Sequence, residues 1–212
     1  MEAHAIIRPH DLLWLEREDG LQLDGPRPEW AAGGWLSRAP LVVRRENTED
    51  ARLPVGLRGL TRSQRCKGYL ERAAVARRTT PEMLAVNADR RRHGQVAALD
   101  ALAALAPALD ASGLAWGPTG GVGFFLASGL PVLRPESDLD LLVRAPQPLS
   151  AAQVAQLAVL QAHAVCRIDI QIDTGSAAFA LAEWAAGRSR VLLKTGAGPV
   201  LSADPWREEV ET

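Results

Sequence analysis

The sequence predicts an α+β fold in which helices cover a small mixed sheet, and three observations carry that expectation. From Leu114 onward the apolar pattern switches repeatedly between strand and helix periods, in the order strand, helix, strand, helix, strand, helix, strand. The stretch CRIDIQID, Cys166 to Asp173, alternates strictly, with Ile168, Ile170 and Ile172 on one face and Asp169, Gln171 and Asp173 on the other. SDLDLLVR behaves alike: Leu139, Leu141 and Val143 suit a core, while Asp138 and Asp140 share the opposite face. Residues 1–76 are expected to form a smaller strand-rich domain with a basic segment, and residues 77–212 a second domain that carries the carboxylates.

Within the first region, Leu12 to Leu15 is an apolar burst, and Pro28 to Gly34 reads as turn and loop. Leu41 to Arg45 and Leu53 to Leu57 are strand-like. His10, in Arg8-Pro9-His10-Asp11, is read as an ordinary surface histidine, with a phosphate contact as the alternative. Gly56 to Arg65 places Arg58, Arg62 and Arg65 at helical i, i+4, i+7 spacing. Read as a helix face, they form either a solvated stripe or a phosphate-contacting one.

In the second region, Thr80 and Pro81 signal a helix start, and a break is expected around Arg90 to Gly94. A helix from Gln95 to about Ala111 follows, which Pro107 should kink or end. Leu114 to Trp116 is a short strand, Gly117 to Gly121 a turn, and Val122 to Ser128 a helix. Ser150 caps a helix to about Ala164. Ala177 to Ala186 reads as a helix ended by Gly187, and Val191 to Thr195 as a last strand, whose Lys194 could reach a phosphate or stay solvated.

The 212 residues are 47% apolar and 23% charged, an ordinary globular balance. No apolar run approaches a membrane span, and the first residues lack the apolar core of a signal peptide. Cys66 and Cys166 lack metal-ligand spacing and are expected to be free thiols in a cytoplasmic protein. The net charge of −1 is unevenly distributed: Arg58 to Arg92 holds ten basic and three acidic residues, and Gly113 to the end seven basic and ten acidic. Such an asymmetry suits a polyanionic substrate, although arginine-rich surfaces are also commonly just solvated.

The chemistry concentrates between Leu114 and Asp173. Gly117-Pro118-Thr119-Gly120-Gly121-Val122-Gly123 is neither a Walker loop, lacking Gly-Lys-Ser/Thr, nor a dinucleotide fingerprint, having Phe124 to Leu126 where a third glycine or alanine belongs. What remains is a strand–turn–helix whose first helical N–H groups can face an anion, with Thr119, Gly120 and Gly121 at the turn. Asp138 and Ser137 could serve simply as turn or cap residues. Asp140 fits that reading poorly, because aspartate inside an apolar strand is costly without a partner. If the two acidic strands pair, Asp169 joins Asp138 and Asp140, and three carboxylates around one or two Mg²⁺ ions suit phosphoryl or nucleotidyl transfer.

Gly-Gly at a helix start, Asp-x-Asp on a strand and Asp on the next strand resemble the DNA-polymerase-β-like nucleotidyltransferase superfamily, at Gly120-Gly121, Asp138, Asp140 and Asp169. More narrowly, RPHDLLWL, LPVGLRGLTRSQR, WGPTGGVGF, SDLDLLVRAP, CRIDIQID, FALAEWA and DPW together resemble the phosphoribosyl-dephospho-CoA transferases, the malonate decarboxylase holo-acyl-carrier-protein synthases. Position 121 departs from the pattern, being glycine where serine is usual; Thr119 is a possible substitute for the lost hydroxyl.

The resemblance implies transfer of a phosphoribosyl-dephospho-CoA group from triphosphoribosyl-dephospho-CoA to a serine of the apo acyl-carrier subunit, with release of pyrophosphate. It implies two Mg²⁺ ions, one on Asp138 and Asp140 and one shared by Asp140 and Asp169, with Asp169 the proton acceptor. Ser137 and the turn residues, together with Arg58, Arg62 and Arg65, would meet the phosphates. No nucleic acid or membrane partner is implied. The rival readings are a nucleotidyltransferase using ATP on a protein or RNA, a non-catalytic nucleotide- or RNA-binding module, and a structural partner of an acyl-carrier complex.

Overall fold

The computed structural model describes residues 6–48, 51–87, 96–162 and 165–207. The chain divides into two compact units, one of Met1–Thr80 with Phe124–Val132, the other of Pro81–Gly123 with Leu133–Thr212.

The first unit is an antiparallel sheet of β1 (Leu12–Leu15), β2 (Leu21–Leu23), β3 (Leu41–Val43), β4 (Leu53–Arg58), β5 (Arg65–Leu70) and β6 (Val75–Thr79), with the short helix α1 (Trp35–Arg38). The strands run in the order β2-β5-β4-β3-β1-β6. Leu13, Val55 and Leu70 are fully buried, and Leu36, Leu41 and Leu57 nearly so. Leu36 comes from α1 and the others from inward-facing strand positions, and their burial is the main driving term for the unit. The Arg8–Asp11 segment is a tight turn: the Arg8 amide donates to Asp11 Oδ2 at 3.0 Å, and His10 takes a left-handed φ of 74° while its amide donates to Val43 O. Asp11 is wholly buried, with the Arg78 guanidinium 3.6 Å away.

The structure overturns the arginine helix. Arg58 ends β4, Arg65 begins β5, and the two are direct partners across an antiparallel hairpin, with Arg62 in its turn. Leu53, Val55 and Leu57 alternate inward, so period two prevails over the coincidental helical spacing of the arginines. Gly59 N donates to Gln64 O, and Gln64 Oε1 accepts from Thr61 N, which closes the turn.

The second unit contains α2 (Pro81–Asn87), α3 (Ala97–Ala111), β7 (Ala115–Pro118), the start of α4 (Gly120–Ser128), β8 (Leu139–Arg144), α5 (Ala151–Gln161), β9 (Ile168–Asp173), β10 (Ala177–Ala180), α6 (Leu181–Ala185), β11 (Val191–Thr195) and β12 (Gly198–Ser202). Its sheet has the order β12-β11-β10-β9-β8-β7 and is mixed: β8 and β9 are parallel, and every other neighbour is antiparallel. Leu139, Leu141, Val143, Ile168, Ile170 and Ile172 form the buried face. Trp116 donates from Nε1 to Asp110 of α3 at 3.0 Å, and α6 contributes Trp184 against Phe179. Phe179, Trp184 and Trp206 form a ring cluster with centroids 5.3–5.9 Å apart, and Trp206 Nε1 donates to Ala145 O. Edge-to-face pairs of this kind add roughly 0.5–1.5 kcal/mol each beyond area burial.

The expected helix from Ala177 is strand first and helix second. Gly175, at φ 101°, and the hydrogen bond its amide donates to Asp173 Oδ1 reverse the chain so that Ala178, Phe179 and Ala180 pair with β9. The ladder thus overrides alanine's helical preference, and only Leu181–Ala185 is helical before Gly187. α3 reaches its expected end at Ala111 and contains Pro107, which does not end it. Pro107 is exposed while Leu105, Ala106 and Leu109 are buried, so packing offsets a proline cost of about 3 kcal/mol. α5 is shorter than expected, ending at Gln161, and its Ser150–Gln153 capping box is complete. Ala164 and the break at Arg90 to Gly94 lie outside the described residues. No helix among the described residues is long and apolar enough to cross a membrane.

Candidate active site

β8 and β9 run parallel in a register that makes Asp140 the partner of Asp169, Leu142 of Gln171 and Arg144 of Asp173. Alternation therefore puts all six on the sheet face opposite the isoleucines. β7 adds Gly117 beside Leu142 on that face. The N-terminus of α2 packs there so closely that a Cβ at Gly117 would coincide with the Pro81 carbonyl, which makes glycine obligatory.

After Pro118 the chain turns at Thr119, whose amide donates to Asp140 O at 2.8 Å, and enters α4. Gly120 has φ 55°, and a Cβ there would collide with the Asp140 carboxylate. The helix thus begins at the glycine pair itself, earlier than Val122, because the missing side chain leaves the room that Asp140 fills. Gly121 and Thr119 are half-buried beside it. Asp138 stands just before β8 rather than within it. Ser137 Oγ accepts from the Arg134 amide at 2.9 Å and so locks the preceding turn. Burial pushes the Cys166 thiol up; the nearby Asp138 charge adds to this, and a backbone hydrogen bond with Leu139 works against it.

Two arginines on this face were not foreseen. Arg144 is buried, donating from Nε to Glu82 at 3.0 Å and from Nη1 to the buried Asp173. Asp173 is 3% exposed and internally neutralised. Arg167 pairs with Asp169 at 3.0 Å in solvent, with side chains 71% and 44% exposed. Arg167 was readable from its position two residues before Asp169, whereas the Arg144–Asp173 pair needs the register between two strands. The structure thus gathers Thr119, Gly120, Gly121, Asp138, Asp140 and Asp169 in one unit. Arg58, Arg62 and Arg65 belong to the other, where Arg58 lies half-buried over the Phe124 ring, 5.4 Å from its centroid.

Among the described residues no group of three or more His, Cys, Asp and Glu side chains is placed to hold a metal ion as it stands. Asp140 lies against Gly120, and Asp169 is engaged by Arg167. The donor chemistry nonetheless fits a hard divalent cation: all-oxygen ligands, two of them register partners on one face. Freeing Asp169 from an exposed pair costs only about 0–1 kcal/mol.

An acidic pair beside a glycine-started helix suits an enzyme that handles phosphate groups, and the chain's relatives make it a transferase. It belongs to the phosphoribosyl-dephospho-CoA transferase MdcG family: the model of the family's N-terminal domain matches residues 8–81 and that of its C-terminal domain residues 83–205. Curated proteins named phosphoribosyl-dephospho-CoA transferase are similar along nearly their whole length. One from Pseudomonas putida is 48% identical over 94% of this chain and 95% of its own, and one from Azotobacter vinelandii 46% over 98% of each. A Klebsiella pneumoniae protein of that name is 42% identical over 97% of this chain and 98% of its own. No solved structure matches.

Proposed function

We propose that the protein transfers the phosphoribosyl-dephospho-CoA group of triphosphoribosyl-dephospho-CoA to a serine of the apo acyl-carrier subunit of malonate decarboxylase, in the cytoplasm. The observation that carries the chemistry is the Asp140–Asp169 register beside Gly120; the relatives' names supply the donor group. The mixed sheet with one parallel pair, entered through a glycine-started helix, supports a DNA-polymerase-β-like nucleotidyltransferase fold for residues 77–212, preceded in sequence by an N-terminal domain of residues 1–76.

In this reading the serine Oγ attacks the phosphorus next to the ribose and forms the new O–P bond. The bond to the departing pyrophosphate breaks, and the serine proton passes to Asp169, whose side chain is 44% exposed. Gly120 and Gly121, at the start of α4, orient phosphate oxygens. Asp138, Asp140 and Asp169 would hold two Mg²⁺ ions, which supply countercharge to the triphosphate. Ser137 holds the turn that presents Asp138, and Thr119 stands where a hydroxyl can meet a phosphate.

The test is the mass of the apo carrier subunit after incubation with the donor, with and without Mg²⁺. A gain of the prosthetic group that needs Mg²⁺, fails with ATP as donor, and falls at least about a thousandfold in Asp140→Asn supports the reading. Labelling from ATP instead would replace the donor. A fully active Asp140→Asn would remove the carboxylate site.

A further inference from the structure

Among the described residues, the carboxylate face carries a cation whose hydrogen-bond partner is an amide and not an acid. Lys194, on β11, is exposed, and its Nζ donates to Gln171 Oε1 at 3.2 Å. The register leads there step by step: Asp173 pairs with Ala178, and Ala178 with Lys194, so all three side chains leave the same face. Gln171 is two residues beyond Asp169 on β9, about 7 Å along the strand. Extended back over Ala178 to Gln171, the Lys194 ammonium therefore stands roughly one polyphosphate's length from the acid pair.

Among the described residues, two other cations on or beside this face stand against carboxylates in the structure. Arg144 is buried between Asp173 and Glu82, and Arg167 is paired with Asp169. An amide oxygen orients an ammonium without neutralising it, and leaves its other two N–H donors to solvent or ligand. Lysine suits this role, because its compact charge on a long stem meets phosphate as a point charge.

We propose that Lys194, held by Gln171, binds the outer phosphates of the triphosphate donor, the pair that leaves as pyrophosphate. The inference rests on the proposed function for the identity of the donor, but its phosphate chemistry can be tested apart from it. Equilibrium binding of triphosphoribosyl-dephospho-CoA and, separately, of inorganic pyrophosphate is measured in Mg²⁺ buffer for the full-length wild type, Lys194→Met and Lys194→Arg. Lys194→Met keeps the stem and loses the charge; it should weaken both ligands by about tenfold, with Lys194→Arg recovering most of the loss. In turnover, Lys194→Met should raise the donor KM and also lower kcat, because charge grows on the departing pyrophosphate, with Lys194→Arg recovering part of both. The thermal midpoint of Lys194→Met should not move, since the side chain is exposed. If Lys194→Met binds both ligands as tightly as wild type, or if wild type binds neither, the proposal is overturned. Lys194-dependent binding of pyrophosphate, with no binding of the donor by wild type, would uphold Lys194 and overturn the donor.

Discussion

The two ends of the β8–β9 pair use the same residues to opposite purposes. At the start of the pair, Asp140 and Asp169 are register partners, and Asp169 is 44% exposed with a solvent-screened arginine. At its far end Asp173 is 3% exposed and closed off by Arg144, which Glu82 of α2 also holds. Three residues of one strand therefore separate an acid available for chemistry from one consumed by structure. Burial with a matched cation takes a charge out of circulation; exposure, with like charge beside it, leaves it available for an incoming cation or proton.

Breaking the structural end should have the largest effect on stability. Arg144→Ala strands two carboxylates, one of them deeply buried, and should cost about 3–5 kcal/mol in urea unfolding. A loss below about 1 kcal/mol would mean that water already screens this pair. Gly120→Ala sharpens the other end. It places a methyl group on the Asp140 carboxylate at a backbone angle that only glycine adopts easily, and should cost about 1–3 kcal/mol. Transfer should be lost in the fraction that remains folded.

The smallest effect concerns Cys166. Its raised pKa keeps the thiol protonated, and hence slow to alkylate, until the pH passes that value. Asp138→Asn removes one of the two raising influences, so the inflection of the alkylation profile should move to lower pH while staying above the ordinary thiol value. An unmoved inflection would place Asp138 too far from the thiol to act on it.

How much of this was legible follows from what each pattern requires. CRIDIQID and SDLDLLVR were readable because period-two alternation is local, and so was the glycine turn. The Arg144–Asp173 pair was not: each residue looks ordinary until the parallel register joins them. The arginines of 58–65 misled because a seven-residue spacing also spans a hairpin, and only the inward alternation of Leu53, Val55 and Leu57 discriminates. Ala177–Ala180 misled because alanine carries little strand signal, and the turn at Gly175 decided the matter. β12 pairs along its full length with β11, but GPVLS is too short and too glycine- and proline-rich to announce itself.

The most direct test of the division between the two ends is a paired measurement, transfer rate and unfolding free energy for Asp169→Asn and Asp173→Asn in parallel. Asp169→Asn should lose transfer by about a thousandfold, with stability within about 0.5 kcal/mol of wild type. Asp173→Asn should lose about 3 kcal/mol, while its folded fraction still transfers. An Asp169→Asn enzyme that transfers at the wild-type rate would contradict the account.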